Sequence, residues 1–156
     1  MRVQWKVVAA SFVVALSLAG CSSPNGDNVV RYQHFGFTCC ANDLQQVWHA
    51  GEGTPLHWIA ESSGWTADQT GHPITLTAVL TGPYSSVAVL KAGGQYTTRL
   101  AAQPLRVTDR TSSDPLGSIN LPVDLPGGWY NLVLTIESTG GRVGSATVVQ
   151  VTPSSP

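Results

Sequence analysis

The reactive side chains of this sequence are concentrated in one short stretch and in two histidine-tryptophan pairs that follow it. The stretch His34-Phe35-Gly36-Phe37-Thr38-Cys39-Cys40 combines an imidazole with two adjacent thiols, and Trp48-His49 and His57-Trp58 come next. Thiolates and imidazoles together form a soft donor set that suits Zn(II) or Cu(I). The candidate ligands of such a metal site are Cys39, Cys40, His34, His49 and His57.

The adjacent thiols of Cys39 and Cys40 have four alternative fates: a vicinal disulfide, two free thiols, a link to another molecule, or metal ligation. Neighbouring Cα atoms lie about 3.8 Å apart, below the usual disulfide range of roughly 4.4 to 6.8 Å, so a bond between them would be strained and easily reduced. Oxidation is expected outside the cytoplasm. A disulfide that locks a turn is therefore the leading interpretation. A metal site is the alternative, because the spacing matches no known metal pattern such as Cys-x-x-Cys.

Tryptophan side chains form the second group of candidates. Trp58 and Trp129 fall in or beside predicted strands, where they are expected to pack between sheets. Trp48 and Trp65 remain as a candidate binding surface, because tryptophans outside a core often contact sugars or proteins.

Enzyme motifs are missing from the sequence. It contains no Gly-x-Ser-x-Gly elbow, no His-Glu-x-x-His motif and no phosphate-binding glycine loop followed by lysine. Glu52 and Glu61 form the kind of carboxylate pair that any chain of this length offers by accident. We therefore predict that the protein is not an enzyme and uses no cofactor.

The N-terminal residues predict export. Residues 1–6 carry two positive charges and no acid, residues 7–18 form an apolar run, and Leu18-Ala19-Gly20-Cys21 closes it. These are the parts of a secretory signal, and a run of about 12 residues is well short of the roughly 20 that cross a bilayer as a helix. Leu18-Ala19-Gly20-Cys21 also resembles the lipobox of bacterial lipoproteins. That resemblance implies cleavage before Cys21 and acylation of its thiol.

Lipidation would place the mature domain at the extracytoplasmic face of a cell membrane, because two or three buried acyl chains anchor a protein durably. Loss of residues 1–20 leaves six basic side chains against nine acidic ones, a net charge near −3. This balance gives no support for nucleic acid as a partner. The predicted partners are membrane lipid, through acylated Cys21, and an envelope protein or carbohydrate.

Period-2 alternation of apolar and polar residues predicts a β-rich domain. Residues 74–81 alternate most clearly, and residues 130–136 and 145–151 alternate around a Ser-Thr-Gly-Gly-Arg turn that indicates a hairpin. The first of these strands should end at Gly82-Pro83. Further strands are predicted at residues 56–61, 96–100, 105–108 and 118–121. Residues 85–92 permit either a strand or one short helix capped by a serine, and the helix is slightly favoured.

About seven short strands favour an all-β, antiparallel two-sheet sandwich. The segment from Leu121 to Tyr130 resembles the corner and tyrosine-bearing strand of immunoglobulin-like and fibronectin-type modules. That resemblance implies that the Tyr130 hydroxyl bonds to the corner backbone. The predicted organisation is a signal at 1–20, a lipidated cysteine and tether at 21–32, a sandwich at 33–152 and a tail at 153–156.

The sequence thus predicts a membrane-anchored lipoprotein that acts as a binding or structural module at the cell envelope. The alternative is a metal- or redox-responsive envelope protein that uses the Cys39-Cys40 pair and nearby histidines.

Overall fold

The computed structural model describes residues 29–40, 43–45 and 47–154 of the 156-residue chain. The predicted signal, Cys21 and the predicted tether up to residue 28 lie outside the described residues. Within these ranges, nine strands, one short helix and one 3-10 turn follow one another: β1 Tyr32–Cys39, the 3-10 turn Asp43–Gln45, β2 Trp48–His49, β3 Gly53–Thr66, β4 Pro73–Tyr84, α1 Val87–Lys91, β5 Thr98–Ala101, β6 Leu105–Thr108, β7 Leu116–Asn120, β8 Gly128–Ser138 and β9 Gly141–Thr152.

The strands form two sheets, as the all-β sandwich prediction requires. The smaller sheet has the order β1-β3-β7, and the larger has the order β2-β9-β8-β4-β5, with β6 also paired to β4. Every pairing is antiparallel except that of β2 with β9. The described part of the chain has nine strands where about seven were predicted, because β1 and β2 were not predicted.

The strand order is that of an immunoglobulin-like sandwich. In the lettering of that fold, β1, β3 and β7 take the places of strands A, B and E, and β9, β8 and β4 those of G, F and C. The Tyr130 hydroxyl near the start of β8 donates to the Pro126 carbonyl oxygen at 2.7 Å. The predicted tyrosine corner is therefore present.

The core lies between the two sheets and follows the predicted alternation. On β4 the inward residues are Ile74, Leu76, Ala78 and Leu80, and Leu132 and Leu134 of β8 face the same side. The smaller sheet contributes Phe37, Leu56, Trp58 and Ile119. Burial of each large apolar side chain contributes about 1.5 to 3 kcal/mol, which makes this interface the main source of stability.

The end of β4 differs from the prediction. The strand continues through Gly82-Pro83 to Tyr84, because its pairing with β8 shifts between Thr81 and Tyr84 and then resumes opposite Trp129. A proline is tolerated at such a shift, where the ladder needs no donor from it. A Cβ atom at Gly82 would overlap the Tyr130 ring, so this close approach requires glycine.

The predicted short helix is confirmed. α1 spans Val87–Lys91, and its N-cap is Ser86, whose Oγ accepts from the Val89 backbone N–H at 3.2 Å. Among the described residues, no helix has the length and apolar character that a bilayer crossing requires.

Candidate functional site

One end of the sandwich brings together side chains from distant parts of the sequence. His34 lies in β1, His72 immediately precedes β4, and Asp109 begins the turn after β6. Strand pairing explains their convergence, because the first residue of β4, Pro73, pairs with the last residue of β6, Thr108. The same end carries the β3–β4 and β8–β9 connections, and the loops of immunoglobulin-like modules commonly bind ligands.

Asp109 is the centre of this cluster. Its Oδ2 lies 2.6 Å from His34 Nδ1 and 3.0 Å from His72 Nδ1, while its Oδ1 accepts from the His72 backbone N–H at 2.8 Å. An ionised carboxylate can only accept, so each ring donates through its Nδ1–H. The two rings are stacked, with centroids 6.4 Å apart and an interplanar angle of 17°. We name these three residues the His-Asp cluster.

The electrostatics of the cluster favour an ionised Asp109. Burial by itself would raise the pKa of this carboxyl, but hydrogen bonds from the His72 backbone, the His72 ring and the His34 ring outweigh burial and lower the pKa below its ordinary value. Asp68 lies on the other side of His72, where its Oδ2 is 3.6 Å from His72 Nε2. A hydrogen bond from the Thr70 backbone is the main cause that lowers the pKa of Asp68.

The backbone around Asp109 ties the turn after β6 to its neighbours. Its carbonyl oxygen accepts from the Phe35 N–H at 2.7 Å, and its own N–H donates to the His72 carbonyl oxygen at 3.0 Å. Arg110 adds a further link, since its guanidinium donates to the Gln33 carbonyl oxygen at 2.9 Å and to the Asp68 carbonyl oxygen. These hydrogen bonds therefore connect the segments that carry the cluster residues to one another.

An open cleft of about 370 Å³ lies over the cluster. Trp65 forms one part of its wall and is 63% exposed, which is unusual for so large an apolar side chain. The remaining lining comes from the end of β3 and from the β8–β9 hairpin: Ser63, Gly64, Ser138 and Thr139. The cleft therefore combines one aromatic face with hydroxyl, imidazole and carboxylate groups.

The sulfur atoms of the adjacent Cys39 and Cys40 lie at disulfide distance from each other, at the end of β1. Cys40 is 1% exposed and has a φ of 73°, a conformation that non-glycine residues seldom adopt. Its N–H donates to the His57 carbonyl oxygen at 3.0 Å, and its carbonyl oxygen accepts from Asp43 and Leu44. This arrangement agrees with the turn lock interpretation.

The structure does not bring together the candidate ligands of the alternative metal site around the cysteines. Within the described residues, no group of three or more potential metal ligands contains a cysteine. The His57 ring instead lies 3.1 Å from the Asp43 carboxylate, and His49 Nδ1 lies 2.7 Å from Thr152 Oγ1. His34 projects toward the His-Asp cluster. Nearness in sequence was misleading here because β1 carries His34 and Cys39 to different places along the sandwich.

The tryptophan predictions have mixed outcomes. Trp65 is exposed and Trp58 is buried, as expected, whereas Trp129 is half-buried. The assignment of Trp48 to a binding surface is wrong, because Trp48 is only 2% exposed. The short strand β2 pairs with the end of β9 and turns Trp48 into the core, while the next residue, His49, faces solvent.

Two members of the cluster were not recognised as site residues from the sequence. His72 lies in the connection between β3 and β4, and Asp109 begins the turn after β6. Asp109 is 75 residues from His34 and 37 residues from His72. Only the strand pairing brings these residues together, and no local motif marks them.

Comparisons with known proteins add little to what this geometry indicates. No family model and no curated protein matches the chain. Among solved structures, one match is the crystal structure of Spo0M, a sporulation control protein from Bacillus subtilis, with 11% sequence identity and a TM-score of 0.35. The match covers 79% of this chain, which spans half the length of that protein. A similarity this low carries no argument about function.

Proposed function

We propose that this chain is a lipid-anchored module at the extracytoplasmic face of a cell membrane, and that it binds an envelope carbohydrate in the cleft beside Trp65. The sequence supports the anchor through the export signal and the lipobox-like Leu18-Ala19-Gly20-Cys21. The fold supports binding, because the cleft lies at the loop end of an immunoglobulin-like sandwich. We further propose binding and not catalysis, since the sequence carries none of the enzyme motifs considered above.

The exposed indole of Trp65 in a polar cleft is the observation that carries the proposal. A sugar ring offers an apolar face that can stack on an aromatic side chain, and hydroxyl groups that need polar partners. Here the indole lies in the same cleft as the imidazoles of His34 and His72 and the carboxylate of Asp109. A flat protein partner would fit this concave, mostly polar surface less well.

Binding can be tested with the full-length protein purified in detergent. The probes are soluble peptidoglycan fragments and a panel of envelope polysaccharides, titrated by calorimetry. Trp65→Ala should weaken binding by about fivefold, because aromatic contacts contribute on the order of 1 kcal/mol and every 1.4 kcal/mol is a tenfold change. The matched control is Tyr96→Ala, which removes an exposed aromatic outside the cleft and should leave the affinity unchanged.

Two results would contradict the carbohydrate assignment. If no polysaccharide binds, the carbohydrate assignment is wrong. If Trp65→Ala binds as tightly as the wild type, the site does not lie in this cleft. If an envelope protein binds and no polysaccharide does, the proposal of an anchored module stands, but its partner is a protein.

The anchor has a separate test. Intact mass of the wild-type protein extracted from membranes should show acyl chains on a chain that begins at Cys21, and Cys21→Ala should carry none, because only the thiol of Cys21 can accept them. A wild-type mass without acyl chains would rule out lipidation at Cys21.

A further inference from the structure

We propose that His34, His72 and Asp109 bind one divalent transition-metal ion of the Zn²⁺ class. One ligand atom from each residue lies within 4.8 Å of a ligand atom from each of the other two. Two imidazoles and one carboxylate are a donor set that Zn²⁺ accepts. The inference goes beyond the proposed function, which does not depend on a metal.

The distances in the cluster are close to those of a coordinated ion. Ligands at about 2.0 to 2.1 Å from a tetrahedral ion lie about 3.4 Å from one another. The Asp109 Oδ2 atom is 2.6 Å from His34 Nδ1 and 3.0 Å from His72 Nδ1. An increase of less than 1 Å in each of these two distances would therefore make room for the ion, which would take the place of the two Nδ1–H hydrogens. Each neutral ring would then carry its proton on Nε2.

The surroundings of His72 and Asp109 suit this exchange. The Nε2 atom of His72 lies 3.6 Å from Asp68 Oδ2, so a ring that binds metal through Nδ1 could donate its other N–H to this carboxylate. Metal-bound histidines commonly have such a partner, which fixes the ring orientation. The Oδ1 atom of Asp109 is held by the His72 backbone N–H, which leaves Oδ2 as the atom for the ion.

The fourth coordination position would face the cleft. The side chains of His34 and Asp109 are mostly buried, with 22% and 14% exposure, while that of His72 is 41% exposed. An ion held by three protein ligands at the base of an open cleft keeps one position for water or an incoming ligand. This differs from the metal site predicted from the sequence, because no cysteine takes part.

The test is metal binding by the full-length protein in detergent, with Zn²⁺ measured by equilibrium dialysis and elemental analysis, and Co²⁺ by its visible absorption. We expect one equivalent of either ion and a Co²⁺ spectrum of low-symmetry, four-coordinate type. His72→Ala and Asp109→Asn should each reduce affinity at least tenfold. Asp109→Asn retains an oxygen acceptor for the His72 N–H, so circular dichroism should show a folded protein. Asp68→Asn should reduce affinity by about tenfold.

The matched control is His57→Ala, which removes a histidine that is paired with another aspartate, Asp43, outside the cluster. It should leave stoichiometry, affinity and spectrum unchanged. No binding of Zn²⁺ or Co²⁺ to the wild-type protein would overturn the proposal. Retention of the ion by the folded His72→Ala and Asp109→Asn variants would overturn it equally. Each result is independent of whether Trp65 binds a carbohydrate.

Discussion

The carboxylate of Asp109 shows how much one side chain contributes at the residue scale. It accepts from two imidazoles and one backbone N–H, and these bonds outweigh the burial that would otherwise raise its pKa. Such a group is both a structural link and a candidate ligand. Sequence could not reveal it, because an aspartate in a turn after a strand is ordinary until its partners, 37 and 75 residues away, are known.

Tyr130 provides a prediction at the same scale. Burial raises the pKa of its hydroxyl above the ordinary value of 10.0, so the folded state favours the neutral phenol. The unfolded state ionises first, and this contribution to stability is therefore complete below about pH 10 and is lost as the pH rises toward the raised pKa.

We expect Tyr130→Phe to lower the free energy of unfolding by about 1 kcal/mol at neutral pH, because it removes the hydrogen bond to Pro126. The loss of stability between about pH 9 and pH 11 should be smaller in this variant than in the wild type. Urea unfolding at several pH values measures both effects. Tyr96→Phe, at an exposed site, is the control and should keep the wild-type alkaline loss. An unchanged alkaline loss in Tyr130→Phe would contradict the prediction.

At the scale of elements, the pairing of β1 with β3 determines where His34 lies. The register shifts between His34 and Phe35, and the residue opposite His34 is Gly64, whose φ is 143°. A Cβ atom at Gly64 would meet no atom within 4 Å, so a side chain there has space but an unfavourable backbone conformation.

Gly64→Ala should therefore lower the free energy of unfolding by about 1 to 2 kcal/mol. Gly36→Ala is the matched control on the paired strand, since Gly36 has no positive φ and an added Cβ would make only an ordinary 3.9 Å contact with Ser63. Its effect should stay within about 0.5 kcal/mol. Denaturant unfolding of both variants tests the prediction, and equal losses would show that backbone conformation is not the cause.

A strand could be predicted where its apolar and polar residues alternate clearly in the sequence. β4, β8 and β9 alternate in sequence because one face packs in the core, and they were predicted. β1 was not predicted, because Phe35, Phe37 and Cys39 alternate over only five residues and Gly36, a residue type that strands disfavour, lies among them. β2 has two residues and is defined by its pairing with β9, so no local pattern could predict it.

At the scale of the whole molecule, the cleft and the N-terminal end of the described chain lie together. Tyr32 begins β1 opposite Thr66, at the end that carries the His-Asp cluster, whereas Thr152 ends β9 at the other end. The sandwich is about 35 Å long, judged from the 11 residues of β8. If Cys21 is lipidated, the chain between it and Tyr32 can reach at most about 40 Å.

A fluorophore on the cleft end should therefore lie closer to lipid than one on the opposite end. We suggest Thr139→Cys, in the hairpin that lines the cleft, and Val123→Cys, which lies beyond β7 and is 69% exposed. In vesicles that carry an acceptor lipid, energy transfer should be more efficient from residue 139. Equal transfer, with both variants anchored, would mean that the module tumbles freely on its tether.

The position of β1 thus bears on how far above the bilayer the cleft would lie. A module attached at the end opposite its cleft would present that cleft outward, to distant layers. If Cys21 is lipidated, attachment beside the cleft would turn the cleft back toward the bilayer, so the material within reach would be whatever lies in the first few tens of ångströms above the lipid headgroups.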